Sequence, residues 1–191
     1  MLFDECFDYI PHFLDSRDAD RYLVSLWQEL EWRQTAITLF GRSVMQPRLI
    51  AWYGDPDANY SYSGLELSPQ PWHPLLVEIK RRMEAFASRR FNSVLANAYR
   101  DGKDSMGWHR DDEKELGSKP FIASLSLGEE RRFLVREPGR KSSGLDLGHG
   151  SLLVMKGDFQ KRFQHSLPKT RREKDLRINL TYRQIRNQAP V

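Results

Sequence analysis

His109 and Asp111 stand two residues apart in Gly107-Trp-His-Arg-Asp-Asp-Glu113. On extended backbone, side chains two apart point to the same side, so this pair can grip one ion. His165, 54 positions beyond Asp111, would complete two imidazoles and one carboxylate on one face of a metal, leaving the opposite positions open. That donor set is the one used by non-haem Fe(II) oxygenases. Downstream, the run Arg177-Ile-Asn-Leu-Thr-Tyr-Arg183 reads as a strand. Its alternation puts Arg177, Asn179, Thr181 and Arg183 on a polar face able to clamp an anion, and Ile178, Leu180 and Tyr182 on a face that packs. Taken singly, each piece has a plainer reading: a His-x-Asp pair on a surface loop, and a half-solvated edge strand with its polar residues outward. Zinc on the same three ligands would leave the two arginines without a role.

Elements must bring these positions together. Asp15-Ser16 reads as a helix start, followed by Tyr22, Leu23, Leu26, Trp27 and Leu30 at helical spacing on a face expected in the core. A second helix opens near Pro71-Trp72-His73-Pro74 and runs through Leu75, Leu76, Ile79, Met83 and Phe86, with Lys80, Arg81 and Arg82 outward. Beyond it, 93–99, 122–127, 132–136, 151–155 and 177–183 read as strands, and Pro138 to Gly150 as a loop between strands. The expected architecture is α+β: a jelly roll, or double-stranded β-helix, buttressed by the N-terminal helices, with His109 and Asp111 at a strand end. Residues 1–191 read as a single domain, with helices and a nucleotide-recognition segment over about 1–92 and the jelly-roll core over about 93–186.

At 191 residues, 39% hydrophobic and 29% charged, the chain has the make-up of one globular domain without long disorder. It contains no apolar run of membrane-spanning length. Acids at the start, where a secretory signal would carry basic residues, point to the cytoplasm. Cys6 is the one cysteine, which excludes an internal disulfide and a cysteine-based zinc cage. The net charge of +4 suits a polyanionic partner. Arg131, Arg132, Arg136, Arg140 and Lys141 form one basic stretch and Lys169, Arg171, Arg172 and Lys174 another, each either a binding surface or a solvated loop. His12, His73 and His149 are assigned to structure rather than to the metal.

From about Thr38 to Arg183 the chain resembles the AlkB family of Fe(II)- and 2-oxoglutarate-dependent nucleic-acid demethylases, which share the jelly-roll fold. The resemblance is carried by Pro47-Arg-Leu-Ile-Ala-Trp-Tyr-Gly54, Asn97-Ala-Tyr99-Arg-Asp-Gly, Gly107–Glu113, Ile122-Ala-Ser-Leu-Ser-Leu-Gly128, Gln164-His-Ser-Leu-Pro168 and Arg177–Arg183. It implies that His109, Asp111 and His165 ligate Fe(II). It further implies that Arg177 pairs with the distal carboxylate of 2-oxoglutarate and that Asn97, Tyr99, Asn179 and Arg183 complete the cosubstrate pocket. With dioxygen as co-reactant, the implied reaction oxidises an N-methyl group of 1-methyladenine or 3-methylcytosine, releasing formaldehyde, succinate and carbon dioxide.

By the same resemblance Trp52, Tyr60 and Tyr62 wall the base pocket, with Arg110 and Glu113 at the base site. Phe40 in Leu39-Phe-Gly-Arg42 would wedge into the duplex where the flipped base was. The implied partner is alkylated DNA, single- or double-stranded. Alternatives are an RNA or protein oxygenase of the same fold, or a non-catalytic nucleic-acid-binding jelly roll. A monomer without membrane association is expected. Arg140 and Lys141 fall where the resemblance would put second-strand contacts.

Overall fold

Asp15 caps the first helix, accepting a hydrogen bond from the Asp18 backbone N–H at 2.8 Å. In the computed structural model, which describes residues 5–39, 41–58, 60–62 and 65–186 (backbone only for 37–39, 60–62 and 65–67), this helix follows β1 (Phe7–Ile10) and spans Ser16–Glu29 as α1. It buries Ala19, Tyr22 and Leu26, as their helical spacing predicts, whereas Trp27 stays substantially exposed. Two hairpin strands, β2 (Ala36–Leu39) and β3 (Arg42–Met45), lead to β4 (Leu49–Gly54) and a second short hairpin, β5 (Tyr60–Tyr62) and β6 (Leu65–Leu67). The second helix, α2 (Pro74–Ala87), has His73 at its N-cap and Pro74 where a missing N–H costs nothing. Leu76, Ile79 and Met83 are buried; Phe86, expected on the same face, lies at its margin, half-exposed against the edge of Phe13.

The rest of the chain is mainly strand: β7 (Ser93–Tyr99), β8 (Met106–His109), β9 (Ile122–Gly128), β10 (Arg131–Arg136), β11 (Ser143–Leu147) and β12 (Ser151–Met155). A one-turn helix, α3 (Phe159–Arg162), then precedes β13 (Gln164–Leu167) and β14 (Arg177–Arg183). A six-stranded sheet in the order β1-β12-β9-β14-β7-β4 faces a four-stranded sheet in the order β11-β10-β13-β8, all pairings antiparallel. This is the jelly roll with helical buttresses. Two findings correct the sequence reading. The segment 138–150 is no loop throughout, because Ser143–Leu147 pairs with β10; its Gly and Ser content masked a strand. The larger sheet also takes β1 and β4 from before residue 93.

Both faces of β14 are covered, so all seven of its residues are buried. Ile178, Leu180 and Tyr182 pack under α1 and α2 with Tyr22, Leu26, Leu76 and Ile79. Small residues opposite the helices, Ala96 and Ala98 on β7 and Ala123 on β9, let them approach the sheet. The Tyr182 hydroxyl donates to the Leu76 carbonyl at 2.8 Å, tying strand to helix. Tyr182→Phe should therefore lower stability by about 1–2 kcal/mol in chemical denaturation, because a buried hydrogen bond between strand and helix is lost. The opposite face of β14 looks into the space between the sheets. That space is apolar at both flanks, Ile50, Trp52, Leu95, Leu116 and Ile185 on one side and Phe133, Val135, Leu153, Phe159 and Phe163 on the other. Its middle is polar, and the candidate site lies there.

Candidate metal centre and anion pocket

Antiparallel pairing of β13 with β8 sets His165 directly opposite His109. Their rings sit with centroids 4.1 Å apart, tilted by 60°. Asp111 lies just beyond the end of β8, outside the strand ladder, with its carboxylate between the two imidazoles. One oxygen is 3.9 Å from His109 Nε2 and the other 4.0 Å from His165 Nε2. One ligand atom from each of the three lies within 4.8 Å of the others, converging on a single point.

Several contacts hold this arrangement. The Nδ1 of His109 is 2.9 Å from the Gly107 carbonyl, so it carries the proton there and leaves Nε2 as a lone pair for an ion. Burial pushes His165 down to about 3, with the neighbouring His109 and Arg183 adding and Asp111 opposing, so the ring is neutral at physiological pH. His109 is lowered too, chiefly by burial. Burial by itself would raise Asp111; Arg183 and the two imidazoles outweigh it and hold the carboxyl at about 2. Two neutral imidazoles and an ionised carboxylate are the protonation states a divalent metal requires.

Arg183 donates from Nη2 to Asp111 Oδ1 at 3.0 Å. It lines the cavity, as expected of a cosubstrate residue, and also steadies the carboxylate of the triad. The Asp111 backbone N–H donates to Gln160 Oε1 at 3.0 Å, and Gln160 Nε2 lies 3.6 Å from Met155 Sδ. Gln160 is buried on α3, five residues before His165, so it ties the free-standing Asp111 segment to the lead-in of the second histidine. Its sequence signal was nil, since an isolated Gln on a charged turn looks like surface. Gln160→Leu should weaken Fe(II) or Mn(II) binding by about 10–100-fold while Gln160→Glu, which keeps the acceptor, retains most of it, as read by titration calorimetry.

The cavity beside the triad has an empty volume of about 560 Å³ including its mouth. Arg177, Asn179, Thr181 and Arg183 all line it, so the alternation read from the sequence holds. Arg177 is buried, donating from Nη2 to Ser126 Oγ at 3.0 Å. Its Nε has no hydrogen-bond partner, and no carboxylate among the described residues lies within ion-pair distance. Burial, with nearby Arg131 adding, lowers its pKa to about 10, still cationic at neutral pH. A buried guanidinium with an unused N–H facing a cavity is built for an anion from outside.

Tyr99 lies between Arg177 and Arg131, with guanidinium carbons 5.3 and 5.9 Å from its ring centre. Asn97 accepts from Arg48 Nε at 2.8 Å. Arg48, a buried cation lining the cavity, was not singled out from the sequence; the Pro-Arg-Leu matching stretch was the available signal. Asn179 also lines the cavity, but both its N–H groups are spent on β9, at Ser124 Oγ and the Leu125 carbonyl, and its Oδ1 accepts from Thr181.

Of the positions expected at the base site, Trp52, Arg110 and Glu113 do not line this cavity. Trp52 is buried in the flanking apolar cluster rather than on the cavity wall. Arg110 and Glu113 are half-buried on the segment beyond β8, Glu113 leading into a 3-10 turn, Lys114–Leu116. Tyr60 and Tyr62 lie on β5, where only the backbone is described, and Phe40 lies outside the described residues. The basic stretch 131–141 is not one surface. Arg131 points inward and donates to the carbonyls of Asp101, Asp104 and Pro168, each at 2.9 Å. Arg132 pairs with Asp146, Arg136 lies over Trp108 at 4.0 Å, and Arg140 pairs with Glu137. Strand alternation, invisible in a count of charges, divides them. Arg140 and Lys141 are exposed on the turn after β10. His73 caps α2, and His149 Nδ1 accepts from the Gly128 N–H at 2.7 Å, both structural roles.

The sequence profile of the 2OG-Fe(II) oxygenase superfamily matches residues 7–183, which takes in every residue of the triad and all of β14. The chain belongs to that superfamily. Within it the relatives are AlkB homologues. The chain is 41% identical over 186 residues to alpha-ketoglutarate-dependent dioxygenase alkB homolog 3 of Homo sapiens, covering 92% of this chain and 64% of that protein. It is 39% identical over 180 residues to DNA oxidative demethylase ALKBH2 of Mus musculus, covering 88% of this chain and 75% of that one. The chain thus spans just under two thirds of the alkB homolog 3 sequence. Among solved structures, that of OsALKBH1 superimposes with a TM-score of 0.66 at 19% identity, covering 93% of this chain and 97% of that one, a likeness of fold. The superfamily's Fe(II) and 2-oxoglutarate fit the residues present: three converging metal ligands and, in the same cavity, a buried arginine with an unused donor.

Proposed function

We propose that the protein is an Fe(II)- and 2-oxoglutarate-dependent dioxygenase that removes N-methyl groups from alkylated bases of DNA. The observation that carries the reading is the common cavity of the His109–Asp111–His165 triad and Arg177. The relatives named for DNA oxidative demethylation support the substrate. When bound, the iron and cosubstrate supply the oxidising power of dioxygen: one oxygen atom leaves in succinate as carbon dioxide is lost, and the other enters a substrate C–H bond.

The chain's own residues do the rest. His109, Asp111 and His165 hold the metal from one side, leaving the remaining positions to the reactants. Arg177 takes the distal carboxylate, with Tyr99 stacked beside it, and so fixes which end of the cosubstrate points to the metal. Arg48, just before β4, and Asn97 on β7 add a second donor group on the same sheet as Arg177. The apolar flanks exclude water, which would otherwise consume the oxidising equivalents. No side chain has to act as an acid or base on the substrate; a hydroxymethyl group on a base nitrogen loses formaldehyde by itself. A methyl on the pairing edge is reached only in a flipped or single-stranded base, and methylated bases, which pair badly, flip at lower cost. Phe40 as a wedge and Trp52, Tyr60, Tyr62, Arg110 and Glu113 as the base site belong to this proposal.

Among the described residues, no helix is long and apolar enough to cross a membrane. The substrate class is tested by offering methylated single-stranded DNA, duplex DNA, RNA and a methylated peptide side by side and recording succinate formed above the substrate-free rate. Stimulation by DNA above the other classes is the expected result; stimulation by RNA or peptide alone would reassign the substrate.

A further inference from the structure

A second cleft, with an empty volume of about 1030 Å³, opens on the far side of the turn that follows Asp111. Five basic residues line it, Arg89, Arg90, Lys119, Lys156 and Arg186, against one acid, Glu5, among the described residues. They arrive from four separate segments: the exit of α2, the turn before β9, the end of β12 and the exit of β14. Phenylalanines seat these turns. Phe91 follows Arg90, Phe121 follows Lys119 by two, and Phe159 follows Lys156 by three; Phe91 and Phe159 are buried, and Phe91 packs on Phe121 with centroids 6.2 Å apart. The Arg89 guanidinium lies 5.7 Å from the centre of the half-buried Phe121 ring. That of Arg186 lies against Gly117, where a Cβ would meet it at 3.4 Å. The backbone of these cations is therefore held in place.

Three of the five already have carboxylate partners, Arg90 with Glu84, Lys119 with Asp158 and Lys156 with Asp8. Arg89 and Arg186 have no ion-pair partner among the described residues and stand exposed at the cleft. The cleft is joined to the candidate site through the flanking apolar cluster, in which Leu95 lines the site and Leu116 the cleft. Leu116 packs there with Trp52 and Ile185. The Arg186 N–H donates to the Glu115 carbonyl at 2.8 Å, so this turn and the exit of β14 are one unit.

We propose that this cleft takes the phosphodiester backbone of the nucleic acid flanking the reacting base, with Arg89 and Arg186 as its two principal phosphate contacts. The proposal rests on the reading of the protein as a nucleic-acid demethylase. Each neutralised phosphate of a single strand releases condensed counterions, adding about 0.7 to the slope of log affinity against log salt.

The test compares the parent with Arg89→Gln/Arg186→Gln on two single-stranded substrates carrying one methylated base, a trinucleotide and a 20-mer. Fluorescence anisotropy across a salt series should give the 20-mer a slope smaller by about 1.4 in the variant, two contacts at about 0.7 each. Demethylation of the trinucleotide, too short to reach the cleft, should be unchanged in the variant, which also establishes that it is folded. An unchanged slope on the 20-mer would overturn the cleft assignment while leaving the demethylase reading in place. Failure of the parent to demethylate either oligonucleotide would remove that reading and the cleft assignment with it.

Discussion

Arg177→Met is expected to raise the 2-oxoglutarate concentration for half-maximal succinate formation by about 100-fold or more, the scale of losing one partner of a buried, hydrogen-bonded charge pair, about 3 kcal/mol. Arg177 is buried, its Nη2 is held by Ser126 and its Nε is unused, so the guanidinium is positioned before any ligand arrives. Tyr99 flanks it, with its ring centre 5.3 Å from the guanidinium carbon. The cost falls on the cosubstrate, whose distal carboxylate would then be buried without a partner, and metal affinity should hardly change. Arg177→Lys keeps the charge but replaces a planar two-donor fork with a point donor, and should lie between the two. Steady-state succinate assays over a range of 2-oxoglutarate make the measurement; an unchanged half-saturation in Arg177→Met would move the anion site elsewhere in the cavity.

Asp111→Ala should abolish turnover and reduce Fe(II) or Mn(II) binding by at least about 100-fold, since it removes the one charged ligand. It should also destabilise the metal-free protein. Arg183 is as deeply buried as Asp111 and meets its carboxylate at 3.0 Å, so the alanine variant leaves a buried guanidinium without that counter-charge. A loss of about 3 kcal/mol is expected for breaking such a pair, while Asp111→Ala/Arg183→Met should recover part of it. Denaturant unfolding of the apo proteins separates this from metal loss. Equal stability of parent and Asp111→Ala would show that Arg183 does not depend on that carboxylate.

Much of this site was legible in the residues. The alternation of β14 identified which side chains face the cavity and which face the helices, because a strand buried on both sides must still sort polar from apolar by face. His-x-Asp and the distant His165 were legible as ligands, although only the antiparallel register of β13 on β8 shows how they meet. Gln160, Arg48 and Arg131 were not legible as buried groups. Each is polar, and each is buried by contacts with segments far away in sequence, Asp111, Asn97 and the 101–104 turn respectively. β11 escaped for a different reason: Ser143-Ser-Gly has turn composition, and its pairing with β10 overrides local preference. Arg183 was legible as facing the cavity with its neighbours on β14, but its ion pair with Asp111 was not, because it joins the far end of β14 to the segment beyond β8.

The measurement that bears most directly on the demethylase reading is a matched mass balance. Protein loaded anaerobically with Fe(II) and 2-oxoglutarate is mixed with oxygen and an oligonucleotide carrying 1-methyladenine, and succinate and the mass of the base are followed together, with His109→Ala as the control. The site described above predicts one methyl lost per succinate formed, and neither change in the variant. Succinate at the parent rate in His109→Ala, or loss of the methyl group without 2-oxoglutarate, would contradict it.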